Sequence, residues 1–237
     1  MSKKTYYDEL VNRRKECKEC FSYSPVRLVN ASEICEGKFD SNEIGPWSLW
    51  QGNLDADILL IGKDFSTVEY FKDNQGRDKI KNPTNLSLEK CFKLIGIDIS
   101  NQKKNSRLFF TNSVLCMKEN TSSKKQSMSD NITNKCIQNC TLTFTKKLIE
   151  IIKPKIIITV GKEAFSAIDM IYNICDAYNI KNNNSFKLVD VLNSKDKPFK
   201  VKNSPLIFPV AHPSHNWINR PEPLYSQDWM IIKQYID

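Results

Sequence analysis

Histidine is scarce in this chain. Only two occur in 237 residues, and both lie in Ala211-His212-Pro213-Ser214-His215. Imidazole titrates closest to neutrality of all side chains, so this scarcity confines imidazole chemistry to one loop. Long apolar runs are also missing. None approaches the roughly 18 residues that span a bilayer, which excludes a membrane-spanning helix. Met1-Ser2-Lys3-Lys4-Thr5-Tyr6 lacks the apolar core of an export signal, so a cytoplasmic location is expected. The eight cysteines are then expected as thiols or metal ligands rather than a disulfide framework. No internal repeat is visible, which excludes a solenoid.

What is present suits a globular protein, with 40% hydrophobic and 26% charged residues. The length allows one sizeable core. The formal net charge of +8 favours an anionic partner such as nucleic acid, because each neutralised phosphate releases counterions. A lysine-rich surface can also serve solubility alone.

Four short apolar runs stand out: Ile58-Leu59-Leu60-Ile61, Leu108-Phe109-Phe110, Ile156-Ile157-Ile158-Thr159-Val160 and Leu206-Ile207-Phe208. Such runs predict strands buried on both faces. Helical patterns over 84–95, 138–152 and 162–178 lie between them, and another over 5–20 precedes them. The alternation predicts one α/β domain over 1–237, a three-layer α/β/α sandwich with a central four-stranded parallel sheet. Residues 1–53 read as a covering segment, with Trp47 and Trp50 over one side of the core. The polar stretches 118–135 and 179–204 read as surface excursions, and Lys118, Lys124 and Lys125 as solvated charges.

Ligands of open parallel sheets bind beyond the carboxyl ends of the strands. The strand ends here are Gly62-Lys63-Asp64, Thr111-Asn112, Gly161-Lys162 and Ala211-His212. Asp64, Asn112 and His212 are therefore expected on one rim, an acid, an amide and an imidazole around one pocket. The alternatives are that Asp64 caps the following helix and that Asn112 satisfies backbone groups at a strand end. Cys17-x-x-Cys20, Cys116 and Cys140 can supply four thiolates, a set that suits zinc or an iron–sulfur cluster. Cys136 rivals Cys140. Cys35, Cys91 and Cys175 are isolated and read as small buried hydrophobes.

These pieces resemble the uracil-DNA glycosylase superfamily, in particular its iron–sulfur, family 4-like branch, over roughly residues 10–235. Ile61-Gly62-Lys63-Asp64-Phe65-Ser66 is similar to the Gly-Gln-Asp-Pro-Tyr segment of the branch that has no cluster. Phe110-Thr111-Asn112-Ser113-Val114-Leu115-Cys116 resembles the strand that ends in a base-reading asparagine and runs on to a cluster cysteine. His212-Pro213-Ser214 resembles the family's histidine loop. The helix from Cys140 to Pro154 also looks like the iron–sulfur branch and favours Cys140 over Cys136. Two segments depart: Ser66 stands where a tyrosine crowds C5 of the base, and Gly76-Arg77-Asp78-Lys79-Ile80 lacks the aromatic that stacks on it.

The resemblance implies a DNA glycosylase that flips uracil from DNA and hydrolyses its N-glycosidic bond. Hypoxanthine or xanthine is the alternative base, and a non-catalytic nucleic-acid-binding protein the alternative class. Asp64 and His212 are the implied catalytic residues. Asn112 and Gly62 are implied at the base, with Phe65, Tyr70 or Phe71 stacking on it. Cys17, Cys20, Cys116 and Cys140 would hold a 4Fe-4S cluster, or zinc, and tie the N-terminal segment to the loop after the second strand. Ser214, His215, Trp217 and Arg220 would face DNA, with Trp217 or Ile218 as an apolar wedge and Arg220 on phosphate. Simple packing under the C-terminal helix is the other reading of that run. A monomer is expected.

Overall fold

The computed structural model describes residues 2–22, 24, 26–46, 50–79, 82–100, 107–119, 134–180, 185–213 and 220–236. In chain order the strands are β1 (Leu28–Val29), β2 (Ile58–Gly62), β3 (Leu108–Asn112), β4 (Met117–Lys118), β5 (Ile156–Val160) and β6 (Leu206–Val210). The helices are α1 (Lys3–Glu16), α2 (Val68–Asp73), α3 (Pro83–Leu94), α4 (Asn134–Cys140), α5 (Lys146–Ile152), α6 (Lys162–Tyr172), α7 (Ile174–Ala177), α8 (Leu188–Asn193) and α9 (Leu224–Lys233).

The four apolar runs form one parallel sheet in the order β3-β2-β5-β6. Their continuous hydrophobicity has a direct cause, because each strand faces a core on both sides. Leu59, Ile61, Phe109, Ile157 and Ile207 point into a core shared with Leu10 of α1, Leu148 of α5 and Phe165 of α6. Ile58, Leu60, Leu108, Ile158 and Phe208 alternate into a second core with Leu88 and Phe92 of α3 and Trp229 of α9. Burying each such side chain stabilises the fold by about 1.5–3 kcal/mol. This is the expected α/β/α sandwich.

Local chemistry sets the helix ends. Asn82 caps α3 by accepting from the N–H of Thr84 at 2.9 Å, and Pro83 fills the first turn, where its missing N–H costs nothing. The helix expected over 138–152 is interrupted. A π-helical turn, Thr141–Thr145, separates α4 from α5 immediately after Cys140. Lys153 then ends α5 in the left-handed region at φ 56°, ahead of Pro154.

Two surface excursions turn out otherwise. The stretch 179–204 contributes Phe186 and Phe199, which pack on Phe165 with ring centroids 5.2 and 6.0 Å away. Phe199 also pairs with Ile207 at the outer edge of β6. The polar composition around these rings hid them. The stretch from 118 opens inside the fold, because Lys118 belongs to β4 and is buried. The N-terminal segment is tied down there: β1 pairs antiparallel with β4, Leu28 opposite Lys118 and Val29 opposite Met117. Trp50 is buried with its indole N–H on the Ile99 carbonyl at 2.8 Å, and its own carbonyl accepts from Phe110 N–H. Trp47 lies outside the described residues. Among the described residues no helix is long and apolar enough to cross a membrane.

Candidate active site

The register of the sheet assembles the rim. Gly62 at the end of β2 lies opposite Asn112 at the end of β3, and Val160 of β5 lies opposite Val210 of β6. The chain after β3 then stays zipped to the chain after β2. Ser113 donates its N–H and its hydroxyl to the Gly62 carbonyl at 2.9 and 2.7 Å, Val114 N–H donates to the Lys63 carbonyl at 3.0 Å, and Lys118 N–H donates to Ser66 at 3.1 Å. Asp64 is thus held by hydrogen bonds on a neighbouring strand as well as by its own loop.

Asn112 is buried, and its side chain lies across Gly62. A Cβ at position 62 would sit 2.3 Å from Asn112 Oδ1, so only glycine leaves room for the amide. The same added Cβ would lie 3.6 Å from the Phe110 ring. Phe110 precedes Asn112 by two residues and so shares its face of the strand. The Phe65 ring meets Phe110 edge-on at 6.2 Å between centroids. Phe65 is nearly buried, and its ring tip occupies the space that a Gly45 side chain would take.

Asp64 does not cap α2. Thr67 does, accepting from Tyr70 N–H at 3.2 Å. The Asp64 carboxylate instead takes the Ser66 N–H on Oδ1 at 3.0 Å, holding Ser66 at φ 76°. Its Oδ2 lies 3.1 Å from Lys118 Nζ, in a pair whose side chains are 8% and 5% exposed. His212 follows β6 and is half-buried. Its Cβ approaches Gly161, where an added Cβ would lie 3.8 Å away, and Gly161 itself turns at φ 88°. Asp64, Asn112 and His212 therefore stand at the carboxyl ends of β2, β3 and β6.

Other residues fall elsewhere. Phe71 is fully buried in the core below α2, so it is not a stacking ring. Tyr70 is half-buried and donates its hydroxyl to Asp78 Oδ1 at 2.6 Å. Arg220 is not placed for phosphate. It is buried, with Nε 2.7 Å from Asp228 Oδ2, Nη2 3.0 Å from Asp228 Oδ1 and Nη1 2.6 Å from Asn193 Oδ1. It anchors the far end of the histidine loop to α8 and α9. Ser214, His215, Trp217 and Ile218 lie outside the described residues.

Sequence reasoning missed Phe110 and Lys118. Phe110 carried a legible signal, its two-residue spacing from Asn112. Lys118 carried none, since it opens a polar run.

The N-terminal segment, the start of the post-β3 chain and α4 meet at the cysteines. Cys20 and Cys140 share a hydrogen bond that, with burial and the neighbouring Cys116, pushes the Cys140 thiol well up. Burial pushes Cys116 up as well, and so do Cys17, Cys20 and Cys136, against a smaller lowering from Arg14. None of the five is in a disulfide, and all but Cys17 are buried. Among the described residues no three His, Cys, Asp or Glu side chains are drawn together as ligands of a metal ion. The cysteines are neighbours in pairs: Cys116 feels the charges of Cys17, Cys20 and Cys136, Cys140 those of Cys20 and Cys116, and the buried Arg14 is near enough to Cys116 to offset negative charge. Arg14 is held by both oxygens of Asp40 at 2.8 Å. Cys136 lies one helical turn before Cys140 and also faces Cys116. Of the isolated cysteines, Cys91 and Cys175 are buried as expected, whereas Cys35 is exposed.

No curated protein matches the chain at a significant level. The model of the uracil DNA glycosylase superfamily matches residues 49–232, which span β2 to α9 and all of the rim. That match covers most of the chain, and the chain belongs to the uracil DNA glycosylase superfamily.

Proposed function

We propose that this protein is a DNA glycosylase that flips uracil out of DNA and hydrolyses its N-glycosidic bond. One observation carries the reading: Asp64, Asn112 and His212 share the carboxyl rim of one parallel sheet, with the Asn112 amide laid on Gly62. Membership of the superfamily supports glycosylase chemistry in general.

Extruding a nucleotide costs a few kcal/mol and exposes its Watson–Crick edge. The Asn112 amide offers one acceptor and one donor, which match N3–H and O4 of uracil, while cytosine reverses that pattern. Phe110 and Phe65 provide the aromatic wall beside it. Bond cleavage leaves negative charge on the base and positive charge on the sugar. His212 donates to O2 of the departing base, stabilising the anion as it forms. Asp64 accepts from the attacking water and faces the cationic sugar. Hypoxanthine or xanthine is the second reading, favoured by Ser66, whose small side chain leaves room where a tyrosine would crowd the base.

Cys17, Cys20, Cys116 and Cys140 are proposed to hold a 4Fe-4S cluster, with zinc as the alternative. The group would be structural, joining the N-terminal segment to the chain after β3.

The test is a uracil-containing oligonucleotide, single- and double-stranded, incubated with the protein and then cleaved at abasic sites with alkali. Strand scission at uracil is expected. Scission only at hypoxanthine or xanthine would move the reading to that base, and none at any of the three would sink it. Broad visible absorbance with iron present supports the cluster; a colourless, zinc-loaded protein from anaerobic purification would replace it with zinc.

A further inference from the structure

Lys118 is a lysine in an unusual place. It opens a polar run in the sequence, yet its side chain is 5% exposed and its ammonium lies 3.1 Å from Asp64 Oδ2. A buried ammonium is costly unless it is paired, so the partner is part of the design of the site.

Two backbone constraints fix Lys118. It pairs with Leu28 in the β1–β4 ladder, and it bridges to Thr67 with its N–H donating to the Ser66 carbonyl at 3.1 Å. The residue that holds the Asp64 carboxylate is therefore itself zipped to the loop that carries Asp64. The other carboxylate oxygen takes the Ser66 N–H at 3.0 Å. One donor on each oxygen sets the plane of the carboxylate. An ionised carboxylate has about four acceptor positions, so two positions remain for a water. Other charges around the loop have carboxylates of their own: Lys63 lies 3.5 Å from Glu163, and Arg27 2.8 Å from Glu119.

We propose that Lys118 is the positioning residue of Asp64. It locks the carboxylate so that its remaining lone pairs meet the attacking water, and it touches neither base nor DNA. The ammonium also offsets the negative charge that Asp64 presents to the sugar. Asp64 thus works as an oriented acceptor more than as a bare counter-charge. The inference rests on the glycosylase reading. It also gives the cysteine site a mechanical consequence, since Cys116 stands two residues before Lys118 on the same strand entry.

The test is single-turnover base excision with saturating enzyme, on whichever base the wild type removes. Lys118→Met keeps the buried stem and deletes the charge. It should lower the excision rate about 10- to 100-fold, the scale of a misplaced catalytic group, with DNA affinity within about twofold of wild type. Lys118→Arg should recover most of the rate. In an Asp64→Asn background, Lys118→Met should change nothing further. Lys118→Gln replaces Lys118→Met if the latter does not fold, and Arg recovery stands as a separate readout.

Four results overturn the proposal: a wild-type rate in Lys118→Met, weakened DNA binding with unchanged chemistry, additive loss in the double variant, or a borohydride-trapped adduct on Lys118. The last would make the amine a nucleophile. A wild type that removes no base sinks the glycosylase reading and this inference with it. An active wild type indifferent to Lys118 sinks this inference alone.

Discussion

Two buried carboxylates in this molecule, Asp64 and Asp228, both pair with lysine, and their difference separates support from chemistry. Asp228 accepts from Lys197 Nζ at 2.8 Å and from Arg220 at 2.7 and 3.0 Å. Two cations take three of its roughly four acceptor positions, and it joins α9 to Lys197 and to the end of the histidine loop. Asp64 takes one ammonium and one backbone N–H, at the open end of the sheet. Its capacity is only half used. A carboxylate enclosed by two buried cations holds a fold together, whereas one left half-filled at a strand end can accept from a substrate or water.

Removing each charge should break the comparison open. Asp64→Asn should lower base excision about 100- to 10,000-fold, the range of a lost general base, while DNA binding survives. Asp228→Asn should cost about 3–5 kcal/mol of stability, because it strands two buried cations, while the folded fraction keeps its rate. Single-turnover assays and denaturant titrations of both variants read the two effects. Equal losses of rate would erase the distinction between the two sites.

Gly62→Ala should come next. The new Cβ would fall 2.3 Å from Asn112 Oδ1, so the amide must swing away. Displacement by about 1 Å costs on the order of 100-fold in such sites, with the loss concentrated in base recognition. An alanine variant that excises at the wild-type rate would separate Asn112 from base reading.

The sheet and the rim were legible in the sequence because both rest on short-range signals. A run such as Ile156–Val160 has one stable fate in an α/β chain, and its end fixes where the next residues stand. Asp64, Asn112 and His212 could be placed together without knowing any contact. What was not legible depends on long-range partners. Lys118 looks solvated until β1 and the loop after β2 close over it. Arg220 looks like a phosphate ligand until α9 brings Asp228 beside it. Phe199 sits in a polar stretch and reveals its burial only through its pairing with Ile207. Charged and isolated side chains take their roles from neighbours distant in sequence.

The cysteines extend the contrast from carboxylates to thiols. Cys140 touches Cys20 and faces Cys116, whereas Cys136 faces Cys116 from one turn earlier. On the proposed cluster, Cys140→Ser should abolish iron binding and, by loosening the support of β4, lower excision about tenfold, the scale of a displaced positioning shell. Cys136→Ser should keep both iron and rate. Iron content and visible absorbance per chain check this, and the reverse outcome would make Cys136 the fourth ligand.

The smallest effects should come from two phenylalanines, one expected at the base from the sequence and one placed there only by the structure. Phe71 is fully buried in the core, and Phe110 is half-buried beside Gly62 and Asn112. Phe71→Leu trims a packed core, so it should lower stability by about 1–1.5 kcal/mol and leave excision unchanged. Phe110→Leu removes an aromatic face from the base wall. Stacking on a base is worth about 1–3 kcal/mol, so excision should fall about fivefold or more at subsaturating DNA, with a small change in stability. The two readouts should cross, one variant losing stability and the other losing rate. If Phe71→Leu loses rate while Phe110→Leu does not, the base wall lies on the α2 side of the rim rather than beside Asn112.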